Sequence, residues 1–368
     1  MFNKLIIYLK NLDWIMFTAV LLLICFGLAE IYSVALGRSQ LDLLNFKKQI
    51  IFIAVGIILF FLLAGFDYHN LRSYSKYFYV FGLILLVGVL FFGQTIRGTK
   101  GWYNLAGFNF QPVEFIKFVL ILFFAKYFSS TSLKTRDWQR LVVSGGGVML
   151  FIVLVLAQPD FGSAFILFLA WLAMVVLVGF NKKYLLVIGL ILAVVFTGFW
   201  NFALRDYQKQ RLVTFLNPSF NPLSQGYNVS QAIIAVGAGR LAGRGLGFGS
   251  QSQLKFLPEA QTDFIFAVVA EELGFSGVLL ILLFFGIFFY RCLWHLRRIN
   301  NDFGIFFILG SLSLIFIEMF INIGMNLGIL PVVGISLPFL SYGGSGLVSS
   351  LMLVGVIESI VIRSKINY

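Results

Sequence analysis

Ionisable side chains are scarce in this sequence, and a few stand where they could do chemistry. Glu114 and Lys117 are spaced i, i+3, one turn apart on a helix face. Asp160 follows Gln158-Pro159, and Asp263 closes the stretch Phe256-Leu-Pro-Glu-Ala-Gln-Thr-Asp263, just ahead of a long apolar run. A carboxylate at such a junction, backed by Phe264 and Phe266, is partly desolvated, and this suits it to act as a general base. Glu259 is a second, more loop-like acid nearby. Arg211, Arg240 and Arg244 could join Lys117 in receiving an anion such as a phosphate or pyrophosphate, for which Arg offers bidentate contacts. Each residue also has a purely structural alternative. Glu114 and Lys117 could be an ion pair that lowers the cost of two charges in a membrane. Asp160, and Thr262 or Asp263, could cap helix N-termini. The arginines could face lipid headgroups.

The elements that position these residues are set by composition. The chain has 368 residues, 60% hydrophobic and 11% charged, with net charge +12, and its mean hydropathy is +0.95. A soluble chain carries roughly 25% charged residues, so a water-soluble globular protein is excluded. A spanning helix needs roughly 20 apolar residues, and there is material for about ten. The expected class is an all-α polytopic membrane protein, one integral membrane domain over residues 1–368. The predicted spans are Trp14–Val34, Phe46–Gly65, Tyr74–Phe92, Pro112–Phe128, Trp138–Ala157, Phe161–Gly179, Tyr184–Trp200, Asp263–Tyr290, Phe303–Gly324 and Gly343–Ile362. The first is long enough to be a retained helix rather than a signal peptide. The net positive charge is explained by lipid, with no nucleic-acid partner.

An even number of spans puts both termini on one side. With that side cytoplasmic, the inner loops hold a clear excess of Lys and Arg, among them Lys4, Lys10, Arg72, Lys76, Arg136, Arg140, Arg297, Arg298 and Lys365. The outer face then carries Gly98–Glu114, Gln158–Asp160, the long loop Asn201–Thr262 and Gly324–Gly346. Within the long loop, Tyr227–Leu241 predicts a short interfacial or re-entrant helix with Val229, Ile233, Ile234 and Val236 on one side. The glycines around Arg240 and Arg244 would let backbone approach a ligand closely. Asp263–Tyr290 predicts one helix roughly 42 Å long. At least one of Glu271 and Glu272 should face the bundle interior, and Glu318, deep in the ninth span, should be paired. Neither histidine reaches the outer face, and no His/Cys cluster has zinc-ligand spacing, so no Ser/His/Asp triad or zinc site is indicated. No GxxxxGK[ST] or GxGxxG motif is present, so no nucleotide site is indicated either.

Several motifs, in order, resemble those of the SEDS family (shape, elongation, division and sporulation) over nearly the whole chain. They are Gly101-Trp102, Gln111-Pro112-Val113-Glu114 with Lys117, and Gln158-Pro159-Asp160-Phe161-Gly162. Next come Gln251-Ser-Gln with Phe256-Leu-Pro-Glu259, Thr262-Asp263-Phe-Ile-Phe-Ala267 and Glu271-Glu272-Leu-Gly274. The last are Asn322-Ile-Gly324, Gly328-Ile-Leu-Pro331 and Pro338-Phe-Leu-Ser-Tyr-Gly-Gly-Ser345. Asp206-Tyr-Gln-Lys-Gln-Arg211 is more similar to the elongation branch, RodA, than to the division branch, FtsW.

The resemblance implies a multi-pass protein of the bacterial cytoplasmic membrane. It implies a peptidoglycan glycosyltransferase that polymerises lipid II outside that membrane with a class B penicillin-binding protein as partner. It also implies Asp263 as the catalytic carboxylate, with Glu114, Lys117 and Asp160 in the same cavity. The leaving polyprenyl pyrophosphate needs cations, for which Arg211, Arg240, Arg244 and Lys117 are candidates, and a divalent cation (Mg or Mn) could share the task. Gly101 stands where the family commonly has Arg, Gln261 where it has His, and Val113 where it has Ser. The first two departures remove a cation and a titratable group near the expected site. A lipid-precursor flippase and a non-catalytic scaffold are the alternatives. A flippase should show repeated halves and polar groups at the bilayer midplane. No repeat is evident, and Glu318 is the one feature that points that way.

Overall fold

The computed structural model describes residues 8, 10–37, 43–131 (except 97 and 106), 136–190 (except 182, 185 and 188) and 225–366. The long helices are α1 (Trp14–Leu36), α2 (Leu44–Gly65), α3 (Tyr68–Phe92), α4 (Pro112–Ser130), α5 (Asp137–Leu156) and α6 (Phe161–Val178). After residue 224 follow α7 (Gln225–Ala238), the single turn α8 (Ser250–Gln253), α9 (Ile265–Leu296), α10 (Asp302–Asn326) and α11 (Gly344–Ile366). Eight of these are long and apolar enough to cross a membrane, so the chain is an all-α, multi-pass membrane protein. Nine of the ten predicted spans are present as helices with ends shifted by a few residues. The seventh, Tyr184–Trp200, falls outside the described residues from position 191 on, as does 201–224 of the long loop.

Helix α4 is not among the eight, because Glu114, Lys117 and Lys126 interrupt its apolar sequence. Protein rather than lipid surrounds it. It packs against α3, α6, α10 and α11, and Ile116 to Leu122 are buried without a gap. Between α3 and α4 lies a small antiparallel sheet of β1 (Gln94–Ile96), β2 (Thr99–Leu105) and β3 (Phe108–Phe110), with Gln94 opposite Trp102 and Tyr103 opposite Phe110. β1 and β3 have three residues each, too short for alternation to announce them.

The structure corrects two expectations. Asp263–Tyr290 is not one straight helix. Helix α9 begins at Ile265 and is broken at Gly274, whose backbone sits at φ 68°, ψ −163°. A break at this depth frees backbone groups that lipid cannot satisfy. The glycine-rich loop satisfies them: Arg244 N and Gly245 N donate to Glu271 O and Glu272 O at 3.0 and 2.8 Å. In return, Phe275 N and Ser276 N donate to Arg240 O and Leu241 O at 2.9 and 3.1 Å. The loop's glycines therefore approach the broken helix, where they had been expected to approach a ligand. A Cβ on Gly243 would stand 2.1 Å from Glu272 O, and one on Gly239 would stand 1.7 Å from Ala270 O. Helix α7 answers to the short helix expected over Tyr227–Leu241, with its ends shifted by a few residues. It packs through Ala232 and Ala235, while Ile233 and Ile234 are exposed, because only a small-residue face admits so close an approach to α9.

Glu271 and Glu272 are both fully buried. Glu271 accepts from Gln251 N, Ser252 N and Ser250 Oγ, and so caps α8. Glu272 accepts from Gly247 N, Ser252 Oγ, Gln253 Nε2 and Ser33 Oγ, and so ties the loop to α1.

A second buried network closes the opposite end of the bundle. Asp13 caps α1 through Ile15 N and Met16 N, and its carboxylate also meets Arg291 and His295 of α9. Burial raises the Asp13 pKa, but the His295 and Arg291 hydrogen bonds outweigh it and hold the group below the usual carboxylate range. Asp13→Asn keeps a capping oxygen but removes the charge that Arg291 and His295 face. The expected loss is roughly 3–5 kcal/mol, read as a lower melting temperature in detergent at neutral pH. The folded-state pKa is depressed, so this stabilisation is complete above about pH 4 and is lost as pH falls. The gap between wild type and Asp13→Asn should therefore close on acidification.

Candidate active site

Asp263 lies two residues ahead of α9, at the N-terminal end of the half-helix Ile265–Leu273, and is half-buried. The cap position belongs to Phe264 rather than to Thr262 or Asp263. Phe264 and Phe266 are buried beneath it, as expected. The main-chain carbonyl of Asp263 accepts from Asn322 Nδ2 at 2.9 Å and from Asn326 Nδ2 at 3.0 Å, both on α10. Its carboxylate looks toward Gly334, where an added Cβ would lie 3.6 Å from Oδ2. The segment after α10 also grips the residues just before Asp263. Ser341 Oγ donates to Thr262 O at 2.7 Å, and Tyr342 N donates to Gln261 O at 2.8 Å.

Residues 334–346 then reach α4. Glu114, Glu318, Ser336, Ser341 and Ser350 line a small polar recess there. Lys117 Nζ donates to Glu114 at 2.7 Å and to Glu318 at 2.6 Å. The pair is thus more than a local i, i+3 bridge: it crosses from α4 to α10, and Lys117 is the partner expected for Glu318. Ser349 Oγ donates to Glu114 O at 2.6 Å and fixes α11 to the start of α4.

Asp160 is the N-cap of α6. It accepts from Ser163 N at 3.0 Å, Ser163 Oγ at 2.8 Å and Gln111 Nε2 at 3.2 Å. Gln111 N in turn donates to Ser345 Oγ at 2.9 Å. The capping alternative for Asp160 therefore holds, and Gln111 links it to Ser345 of the 334–346 segment. Glu114 lines the recess formed with 334–346, Asp263 faces Gly334, Asp160 reaches Ser345 through Gln111, and Lys117 is joined to the recess through Glu114 and Glu318.

The remaining residues stand further off. Glu259 is exposed, and its carboxylate and carbonyl each accept from Thr262 Oγ1 at 3.2 Å. Arg240 and Arg244 are exposed on the glycine loop, and Arg244 Nη1 donates to Ser250 Oγ at 2.6 Å. Their backbone anchors lie at the far end of the half-helix from Asp263, roughly 14 Å away along its axis. Arg211 lies outside the described residues. Among the described residues, no group of three or more His, Cys, Asp or Glu side chains is arranged to hold a metal ion.

The arrangement matches known proteins from end to end. The model for the cell cycle proteins FtsW, RodA and SpoVE matches residues 13–366. The chain belongs to the FtsW/RodA/SpoVE family. Among curated members it is 35% identical to peptidoglycan glycosyltransferase MrdB of Escherichia coli K12 over 360 residues, covering 96% of this chain and 95% of that protein. It is 36% identical to stage V sporulation protein E of Bacillus subtilis, covering 95% of this chain and 96% of that one. A solved peptidoglycan synthase complex, described as coordinating polymerization and crosslinking, matches with TM-score 0.80 at 28% identity, covering 97% of this chain and 98% of the other. The rod shape determining protein RodA of Thermus thermophilus matches with TM-score 0.71 at 25% identity over the same shares.

This member of the FtsW/RodA/SpoVE family carries site residues for which sequence reading had assigned no role. Asn322, Asn326, Ser341 and Ser345 had entered only as parts of motifs or had gone unremarked. The available signal was the i, i+4, i+8 spacing of Glu318, Asn322 and Asn326, which puts them on one face of α10.

The charge balance of the recess gives a test. Lys117→Met leaves two buried carboxylates facing each other, whereas Glu318→Gln leaves Lys117 paired with Glu114. Lys117→Met should cost roughly 3–5 kcal/mol and Glu318→Gln much less, measured by thermal unfolding in detergent. Equal losses would contradict the arrangement.

Proposed function

We propose that the chain polymerises lipid II into glycan strands at the outer face of the bacterial cytoplasmic membrane. The product strands serve cell elongation and shape maintenance. The polymerase class is that of the family's curated peptidoglycan glycosyltransferases. The observation that carries the mechanism is Asp263. A carboxylate held at the mouth of a broken helix, over a buried apolar floor and beside a polar recess, is placed as a general base.

The acceptor sugar hydroxyl gives its proton to Asp263, and its oxygen attacks the anomeric carbon of the donor. The bond from that carbon to the pyrophosphate oxygen breaks, and polyprenyl pyrophosphate departs with the electron pair. A pyrophosphate needs little acid help to leave, so a second carboxylate acting as acid, as in glycosidases, is not required. Glu114, Lys117 and Asp160 shape the cavity that holds the substrate. The cations for the leaving group are Arg211, Arg240 and Arg244, because the charge of Lys117 is matched by two carboxylates. A class B penicillin-binding protein is the proposed partner, in keeping with the peptidoglycan synthase complex that this fold matches.

The flippase alternative rested on Glu318. Its pairing with Lys117 gives that acid a structural role and removes the reason to prefer transport.

Polymerisation of purified lipid II by the chain with its partner tests the reading. Asp263→Ala should lower the rate by about 10²–10⁴-fold, the usual contribution of a general base. Full activity in that variant would refute the assignment, and transport of labelled lipid without polymer would favour a flippase. Orientation has its own check. We propose that both termini are cytoplasmic, that residues 201–262 are extracytoplasmic and that residues 1–368 act as one membrane domain. A reporter active only outside the membrane should work when inserted within 201–262 and fail at the C-terminus.

A further inference from the structure

We infer that Asn322 and Asn326 are positioning residues that set where the Asp263 carboxylate sits, an inference that rests on Asp263 being the base. Both asparagines are fully buried on α10. A buried carboxamide is costly unless its hydrogen bonds are made, and here their partners are specific. Asn322 Nδ2 donates to Asp263 O at 2.9 Å and to Ile335 O at 2.7 Å. Asn326 Nδ2 donates to Asp263 O at 3.0 Å and to Asn322 O at 2.8 Å, while its Oδ1 accepts from Ala267 N at 3.1 Å. Carbonyl acceptors on one side and an amide donor on the other fix which end of each side chain carries nitrogen.

Three consequences follow from this geometry. Both lone pairs of the Asp263 carbonyl are filled by side chains of a single helix, so the peptide of Asp263 is pinned although it lies outside any regular ladder. Asn322 also holds Ile335, the neighbour of the Gly334 that the carboxylate faces. One side chain thus fixes both the base and the wall opposite it. Asn326 holds the first turn of the half-helix through Ala267 N, which sets the direction in which the chain leaves Asp263. Glu318, one turn along the same face, holds Lys117 and through it Glu114. α10 thereby sets the base and the recess in one register. Misplacing a reacting group by about 1 Å costs on the order of 100-fold in rate, so a clamp of this kind acts on turnover rather than on substrate binding.

The test is lipid II polymerisation by the full chain with its partner, reading kcat and KM separately, with melting temperature measured for every variant. Asn322→Ala removes the bonds to Asp263 and Ile335. Asn326→Asp keeps the acceptor for Ala267 N but puts a carboxylate oxygen where a donor was. Both should lower kcat by about 10–100-fold and leave KM within about twofold. Ser359→Ala, which deletes a partly buried hydrogen bond to Phe66 O far from the site, provides the structural comparison and should change neither constant. Asp263→Ala runs alongside. Loss of activity in Asp263→Ala with normal kcat in both asparagine variants overturns the inference alone. So does a fall of kcat together with a rise of KM that tracks melting temperature. Full activity in Asp263→Ala overturns the base assignment and the inference with it.

Discussion

The structure depends on one constraint: a backbone group or a charge inside hydrocarbon must find its partner within the protein. The break at Gly274 shows how far this constraint reaches. A helix interrupted at membrane depth exposes carbonyls and amides that no lipid can bond. Here Arg240 to Gly245 supply the missing donors and acceptors. That requires glycine at 239, 243 and 274, since a Cβ at any of them would meet backbone at 2.2 Å or less. Once the loop is braided to the break, Glu271 and Glu272 can be buried, because the same loop offers Gln251 N, Ser252 N, Gly247 N and several side chains to their oxygens. The short half-helix that results is what places Asp263 at its mouth instead of leaving it at the tip of a long continuous rod.

The same rule explains why α10 carries polar residues deep within the bundle. Glu318, Asn322 and Asn326 form a stripe that would be untenable against lipid. Each faces a partner that needs it: a lysine, a main-chain carbonyl shared by two donors, and a helix-start amide. Burial and pairing reinforce each other. The stripe can exist only because α4 and the 334–346 segment cover it, and those elements are held in register by the stripe. The Asp13 network at the other end of α9 obeys the same logic with Arg291 and His295. Helix α9 is thus anchored at both ends by polar contacts across otherwise apolar packing.

These features differ in how legible they were in the sequence. The spans were, because an apolar run of about 20 residues bounded by charge has one physical meaning. The polar links of Glu114 and Asp160 to the 334–346 segment were only partly legible, because they run through Ser349, Gln111 and Ser345, whose types announce no such role. The break was not: Gly274 sits within a long apolar run, and a glycine inside an apolar helix is compatible with continuity until its cross-loop partners are seen. Misreading the break led to misreading the loop. The glycines near Arg240 and Arg244 looked like a ligand cradle, and their partner proved to be the helix itself. The alanine face of α7 was hidden for a related reason, since isoleucine is the more apolar residue but alanine is the one that permits contact. The asparagines carried no composition signal beyond their spacing on α10.

The charge balance around Asp263 separates two duties that the sequence had merged. Lys117 is already held by the carboxyl groups of Glu114 and Glu318, so its ammonium is poorly placed to receive a departing pyrophosphate. Lys117 instead holds Glu114 and Glu318 in place. On the proposed reaction the nucleophile and the leaving group lie on opposite sides of the reacting carbon, so the base and the cations should also be separated. The half-helix provides that separation, with Asp263 at its N-terminal end and the loop bearing Arg240 and Arg244 bonded to its C-terminal end. Because the loop and the half-helix share backbone hydrogen bonds, the proposed base and the two loop arginines, Arg240 and Arg244, are joined through the same short helix. A movement that opens the cavity would carry both together and preserve the spacing that an in-line displacement requires.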